Sequence, residues 1–574
     1  MLKHELLYNN LNSVSNNEFE NILKIKSPIE EYLNIKLEKN VKEYLKKNDE
    51  NNYIIKDNSD EEKNVFIKYI TLVDFLKYLT GKYKNENLDT LPENENKNLE
   101  SKYQKYIHDK NNYAYVDSVF YYISSKLKND NNFLHGIECY DTFICQKKKC
   151  RINISDDLEY LCDSNYFTQN LGKKFYFEDN EANDIFQQNK KDILNIDDTI
   201  EISLYDIENI DICDCDIDID ISNVSQSLNS VNDILLNENE DDESDEKIIL
   251  KYNHNNNDTI NNCTDSDEEY EEESDEESVE ESDEESYEES VEESDEEIDE
   301  ESDEEIDEES DEESEEESEE EKMYLLLNKF PTQVVVIEKC ENTLDELLEE
   351  GEIKLEELES AIFQIITTLF LYQKKYNFTH NDLHTNNIMY SNTTIEYLIY
   401  KIDNKYYKIP TFGKIYKIID FGRSIYSYND KPLCSDSFSK NGTAHTQYNF
   451  KPYYNEKKAV IEPNMSFDLC RLACSIFDFV CDDINNIDEY RSTAPVYDLI
   501  FSWLYDDNKL NVLYKSNGDD KYPGFKLYKM ISKIVHNHIP KDQYNHKVMQ
   551  KFLINEYNKE EPSNKDFFMD IDDM

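Results

Sequence analysis

Apolar residues recur along this chain at two periods, and the change from one to the other predicts a β-rich part and a helical part. Residues 1 to about 44 alternate apolar and charged positions, with Pro28 as punctuation, a pattern compatible with helix. N-Y-I-I-K-D (52–57) and N-V-F-I-K-Y-I (64–70) flank the polar stretch N-S-D-E-E-K. β-Branched and aromatic residues either side of such a turn predict a β-hairpin. Residues 82–112 are polar and Asn/Lys-rich, as expected of an inserted loop. Tyr113, Val116, Phe120, Ile123 and Leu127 then step by three and four, which predicts a helix. F-L-H-G-I-E-C-Y-D-T-F-I-C-Q-K reads as strand or hairpin around Gly136. From 155 to 236 clear periodicity is lost. Strict alternation from Ile210 to Ser222 suggests a strand, but one face would be almost all Asp. Like charges facing one another across strands destabilise a sheet, so an unpaired or partner-dependent segment is expected there.

Order resumes at Met323. M-Y-L-L-L-N-K-F and T-Q-V-V-V-I-E-K-C read as two short strands split by Pro331. Thr343, with Glu346 three residues on, has the spacing of a helix N-terminus with a capping box. A long amphipathic helix is expected over about Leu355 to Tyr376. Several strands should follow, including a hairpin turning at Asp403 and Asn404. N-M-S-F-D-L-C-R-L-A-C-S-I-F-D-F-V reads as a buried helix, and the chain to about Tyr557 is mostly helical by period. The tail D-F-F-M-D-I-D-D-M is expected to fray.

Charge alters this picture in one place. The 574-residue chain has a formal net charge of −69. Roughly 40 of its acids lie between Thr264 and Glu321, a stretch without Lys or Arg. That tract repeats S-D-E-E, S-V-E-E and I-D-E-E units and has too little apolar surface to fold, so disorder is expected. It reads as a solvated spacer, or as an interaction tract for basic proteins whose serines suit acidophilic kinases of the casein-kinase type. General acidity argues against direct nucleic-acid binding. The 12 cysteines include no C-x-x-C and no zinc-spaced block. Cys213 and Cys215 form a lone C-x-C, either two ordinary thiols or a weak metal site. A reduced, soluble, intracellular protein is expected, without signal peptide or membrane span.

The candidate chemistry lies in F-T-H-N-D-L-H-T-N-N-I-M-Y, Phe378 to Tyr390, where His380, Asp382 and Asn387 fit H-x-D-x-x-x-x-N. K-I-I-D-F-G-R follows, with Asp420 after an apolar run. Phosphoryl transfer needs a carboxylate that orients a hydroxyl, here Asp382, and oxygen ligands for Mg²⁺, here Asn387 and Asp420. His380 should support the loop by packing, and Asp468 should cap its backbone amides. Lys68 sits in V-F-I-K. A lysine in an apolar strand either projects from a solvated face or serves a ligand.

These motifs in this order resemble the eukaryotic-type protein kinase superfamily. H-N-D-L-H-T-N-N-I-M, K-I-I-D-F-G-R-S and S-F-D-L-C-R-L-A-C-S-I-F-D-F are similar to serine/threonine protein kinases of mimivirus-like giant DNA viruses. The low-Gly, Asn/Ile/Lys/Tyr-rich composition agrees with an AT-rich genome. The resemblance implies an α+β, two-lobed protein-kinase-like fold: a small β-rich lobe interrupted by a long acidic disordered insert, and a mainly helical large lobe. The implied organisation is an extension at 1–44, the first part of the small lobe at 45–155 and an irregular insert at 156–263. The acidic tract at 264–321, the end of the small lobe with its hinge at 322–342, the large lobe at 343–560 and an acidic tail at 561–574 follow.

The resemblance also implies ATP and Mg²⁺ as cofactors and protein Ser/Thr as acceptor, in host cytoplasm or virion if the protein is viral. Lys68 would clamp the α- and β-phosphates, Asp117 would be its acidic partner, and hinge backbone at Glu338 to Glu341, including Cys340, would bond adenine. The chain departs from the family in several places. No Gly precedes Gly81, so the Gly-rich loop is missing unless another segment does its work. Asn381 replaces the usual Arg, His384 stands where Lys is usual, and Glu462-Pro463 replaces A-P-E in a different order. H-x-D-L-H-x-x-N also resembles choline- and aminoglycoside-kinase-type phosphotransferases. A small-molecule kinase, or a pseudokinase scaffold working through its acidic tract, therefore stays open beside the protein kinase.

Overall fold

Alternating apolar residues in the first part of the chain build one large antiparallel sheet. In the computed structural model, residues 2–23, 26–37, 40–92, 99, 101–178, 323–481, 487–515, 518, 520–557 and 565–574 are described. The strands of this sheet are β1 (Phe19–Glu20), β2 (Val41–Lys47), β3 (Asn52–Asp57), β4 (Glu62–Thr71), β5 (Cys139–Asn153), β6 (Phe175–Phe177) and β7 (Tyr324–Glu338). Their order is β1-β5-β7-β4-β3-β2, with β6 beside the first half of β7. The sheet curls. Tyr44, Tyr53, Ile55, Val65, Ile67, Phe143 and Val336 share its concave core with Leu7 and Leu11 of the first helix, Leu2–Val14. Lys47 at the end of β2 bonds Glu18, next to β1, so the two edges of the sheet meet. The opposite face packs on the helix Tyr113–Asn131, whose Val116, Val119, Phe120 and Ile123 are fully buried.

The hairpin expected between 52 and 70 is present as β3 and β4. The sheet begins earlier than expected, at Val41 for its first long strand, and it continues later. Helices Leu158–Cys162 and Asn165–Asn170 and strand β6 lie where an irregular insert was expected. Pro331 does not split β7. Its missing N–H faces the β4 side, where β4 has already ended at Thr71, and its carbonyl there accepts from Leu72 N at 2.9 Å. No ladder bond is lost, so the strand runs through. The alternating segment Ile210–Ser222, the Cys213/Cys215 pair and the acidic tract at 264–321 lie outside the described residues.

The second part mixes helices with short strands, where a mainly helical lobe was expected. Thr343 Oγ1 accepts from Glu346 N at 3.1 Å and caps the helix Leu344–Glu349. The helix Leu355–Tyr376 buries Leu358, Ile362, Ile365, Ile366 and Leu369, all at most 2% exposed. Each such side chain contributes about 1.5–3 kcal/mol relative to exposure. Next come β8 (Ile388–Asn392), β9 (Tyr397–Ile402), β10 (Lys405–Pro410) and β11 (Lys414–Ile418), with β8 paired to β11 and β9 to β10. Asp403 and Asn404, with φ of 49° and 60°, make the turn of the β9–β10 hairpin. Strands β12 (Ile425–Tyr428) and β13 (Lys431–Cys434) form a further hairpin. Helices Phe467–Val480, Pro495–Ser502 and Phe525–Ile534 follow, then the short strand β14 (Leu553–Ile554) on β10. The tail does not fray. Asp566–Asp570 forms β15, parallel to β9, and buries Met569 and Ile571. Alternation within D-F-F-M-D-I, masked by its acids, is what places one face against the core.

Candidate active site

Lys68 lies in the middle of the sheet, opposite Val335 of β7, so it is not an edge lysine. Its Nζ is 2.9 Å from Asp117 Oδ2 and 3.0 Å from Asp420 Oδ1. Asp117 and Tyr121 are one turn apart on the helix Tyr113–Asn131 and share a face. Asp117 Oδ1 accepts from Phe421 N at 2.6 Å, and Tyr121 Oη accepts from Asp420 N at 3.0 Å. The strand, the helix and the segment after β11 are thus joined through one ammonium. Burial works against the Lys68 charge, but Asp117 and Asp420 outweigh it and hold its pKa well above the usual lysine value. Burial dominates at Asp117, which is 1% exposed, and raises its carboxyl to about 6 against the pull of Lys68. Partial desolvation opposes ionisation of Asp420, yet Lys68 wins there and lowers the pKa. The Asp420 side chain remains 52% exposed and faces the cleft.

The loop carrying Asp382 is fixed from below. Asp468, buried at the start of the helix Phe467–Val480, accepts from His380 N and Asn381 N, both at 2.9 Å, as the sequence predicts. His380 Nε2 lies 2.9 Å from Ile419 O. A carbonyl only accepts, so Nε2 carries the hydrogen and Nδ1 accepts from Asp382 N at 3.3 Å. Burial lowers the His380 pKa, which agrees with a neutral ring. Asn387 Nδ2 donates to Asp382 O at 2.9 Å, leaving its amide oxygen for other work. Ile419 N donates to Asn387 O at 3.0 Å, so the two loops run side by side. Asn381 does not read charge. Its Oδ1 accepts from Tyr448 at 2.7 Å and its Nδ2 donates to Arg423 O at 3.0 Å.

Three residues around Asp382 were not singled out for this site from the sequence. Tyr528, on the helix Phe525–Ile534, donates its hydroxyl to Asp382 Oδ1 at 2.9 Å. An Arg423 guanidinium nitrogen is 3.3 Å from the same oxygen, and Arg471 Nε donates to Tyr528 Oη at 2.9 Å. Both guanidinium carbons also lie near the Tyr528 ring, at 5.8 and 5.2 Å. Arg423 follows D-F-G directly, and Arg471 is one turn beyond Asp468, so both stood next to motifs. Tyr528 is 146 residues from Asp382, and no local pattern joins them.

A cleft of about 570 Å³ runs past Phe66, Lys68, Ile337 to Glu341, Met389, Ile419 and Asp420. Its size suits a cofactor. One wall follows the end of β7 and the residues after it, Ile337 to Glu341. The Glu338 carboxylate turns away to Lys417 at 2.6 Å and Lys128 at 2.9 Å. Burial opposes its charge, but these lysines pull its pKa down to about 2. Cys340 accepts a contact from Ser391 Oγ at 3.8 Å. Over the cleft hangs the turn between β2 and β3, which contributes Glu50 and Asn51 to its wall. It holds its shape without glycine. Asp49 Oδ1 accepts from Asn51 N at 3.0 Å and Asn52 N at 2.9 Å, and Asn51 Nδ2 donates to Ile67 O at 2.8 Å.

Asp420 and Asn387 offer hard oxygen donors, few in number, which suits Mg²⁺ completed by phosphate and water. Among the described residues no group of three or more His, Cys, Asp or Glu could hold a metal ion by itself, and no helix is long and apolar enough to cross a membrane. No protein-family model matches the chain. A protein of Dictyostelium discoideum described as a probable serine/threonine-protein kinase is 35% identical over 79 residues, which is 13% of this chain and 6% of that protein. The match supports a relationship to kinases and reaches no further.

Proposed function

We propose that the protein is an ATP- and Mg²⁺-dependent phosphotransferase of two-lobed, protein-kinase-like fold that transfers phosphate to Ser or Thr of proteins. The observation that carries this reading is the contact of Lys68 with both Asp117 and Asp420: Lys68 and Asp420 lie in separate motifs 352 positions apart, and Asp117 flanks the apolar stripe of the helix between them. In this reading, Lys68 holds the phosphates, and the backbone from Glu338 to Cys340 holds adenine. Asn387 and Asp420 would hold Mg²⁺, which when bound would supply neutralisation of phosphate charge. Asp382 accepts a hydrogen bond from the acceptor hydroxyl, orients its oxygen toward the γ-phosphorus and takes up the proton. The turn Asn48–Asn51 covers the phosphates in place of a Gly-rich loop.

That glycine-free turn is also what a non-catalytic scaffold would tolerate, and this is the second reading. Transfer from labelled ATP with Mg²⁺ to a mixed protein acceptor separates the two. The phosphotransferase gives signal that Asp420→Asn removes. A scaffold gives none, and a small-molecule kinase gives turnover stimulated by metabolites and not by protein.

A further inference from the structure

In a chain of net charge −69, two elements packed near Asp382 carry more lysines than acids. Helix Phe525–Ile534, F-K-L-Y-K-M-I-S-K-I, carries three lysines and no acid. The segment 437–461 carries four lysines against the single acid Glu456. The two elements are neighbours, since Phe525 packs on the apolar cluster of Phe438, Ala444 and Tyr448. Tyr448 in turn is bonded to Asn381, next to Asp382. Partial burial and then the charges of Lys458, Lys529 and Lys440 lower the pKa of His445, which lies in the same segment. None of these three lysines, nor Arg471, forms an ion pair among the described residues. Arg471 and Arg423 flank the Tyr528 hydroxyl on Asp382 Oδ1.

Resting on the phosphotransferase reading, we infer that this face selects an acidic polypeptide. Its acceptor serine replaces the Tyr528 hydroxyl at Asp382, and its carboxylates lie along Arg471, Arg423 and the lysines of both elements. The transfer balances simply. The serine Oγ–phosphorus bond forms, the bond from the γ-phosphorus to the β–γ bridging oxygen of ATP breaks, ADP leaves, and the serine proton passes to Asp382. The net negative charge of the chain does not forbid an acidic partner. Charges further off than a Debye length, about 8 Å in physiological salt, are largely screened, so the local cations decide. The required chemistry is a serine followed by carboxylates. The chain's own sequence supplies a probe: every serine between Thr264 and Glu321 has Glu at the second and third positions after it.

The test uses the full chain, MgATP and two twelve-residue peptides. One has the sequence S-D-E-E-I-D-E-E-S-D-E-E of residues 302–313; in the other every carboxylate is an amide. The acidic peptide should be phosphorylated with kcat/KM at least about tenfold higher. Substituting Lys440, Lys458 and Lys529 together by Gln should raise its KM about tenfold and move kcat less than twofold. Binding of the labelled acidic peptide, read by fluorescence anisotropy, should weaken in parallel. Equal use of both peptides, preference for the amide peptide, or an unchanged KM in the triple variant overturns the inference and leaves the phosphotransferase standing. If MgATP gives no thermal shift and no acceptor takes phosphate, that reading falls and this one with it.

Discussion

Lys68 Nζ is 2.9 Å from Asp117 Oδ2, across the space between the central strand and the helix behind it. The same ammonium reaches Asp420 at 3.0 Å. Substituting Lys68 by Met leaves two carboxylates facing each other without their cation, one of them buried. In the proposed mechanism it also removes the phosphate clamp. Phosphate transfer should fall about a hundredfold or more. Asp117→Asn keeps the shape and weakens the hold on Lys68, so a smaller loss, about tenfold, is expected. Steady-state transfer assays check both, with circular dichroism to show that the variants are folded. Full activity in Lys68→Met would remove this lysine from the mechanism.

Tyr528 occupies Asp382 Oδ1 at 2.9 Å. An acceptor hydroxyl bound to that oxygen has to displace it. A hydrogen bond to a charged group is worth about 1.5–3 kcal/mol, so Tyr528→Phe should raise kcat/KM for the acceptor by about tenfold to a hundredfold. The gain should lie mainly in KM. A loss of activity would mean that Tyr528 holds Asp382 in its working position instead.

His135 is fully buried, with Nδ1 2.8 Å from Tyr416 O and Nε2 2.7 Å from the Tyr400 hydroxyl. Burial lowers its pKa to about 4. The unfolded chain takes up this proton near pH 6.5 and the folded chain only near 4. The neutral ring therefore contributes stability that is fully present above about pH 6.5 and is lost as pH falls to about 4, on the order of 3 kcal/mol in all. Urea unfolding of wild type and His135→Gln, compared at pH 7 and pH 4.5, checks this. Their stability difference should shrink toward acid, and a difference independent of pH would contradict the assignment.

Asn381 occupies the position where the resembled family carries an arginine that reads phosphate. Here it is fully buried and bonded to Tyr448. Phosphatase treatment should therefore leave activity unchanged. Tyr448→Phe strands the Asn381 carbonyl and should cost about 1–3 kcal/mol in denaturant unfolding. A large drop in activity on dephosphorylation would show a switch that Asn381 cannot supply.

The candidate site was legible in the sequence because several of its residues sit in short motifs with fixed spacing. Asp382 and Asn387 share one loop, Asp468 begins a helix whose period is clear, and the Asp403–Asn404 turn announces its hairpin. Asp117 could be picked out only as an acid flanking a helical stripe, and the fold supplies its partner. Other features depend on contacts that no local pattern encodes. Pro331 reads as a strand breaker, but whether its missing N–H matters depends on where β4 stops. The last strand hides its apolar face among aspartates, and its pairing with β9 is set by residues about 170 positions away. Tyr528 reaches Asp382 only through the packing of two helices. The glycine-free turn over the cleft depends on the side chains of Asp49 and Asn51, which substitute hydrogen bonds for glycine's freedom.

The most direct measurement is phosphate transfer from labelled ATP in the presence of Mg²⁺, wild type against Asp382→Ala, with the MgATP-induced thermal shift recorded for both. The account predicts the same shift in both proteins and transfer by the wild type alone. Equal transfer by the two proteins would remove Asp382 from the mechanism, and no transfer and no shift in the wild type would contradict the phosphotransferase itself.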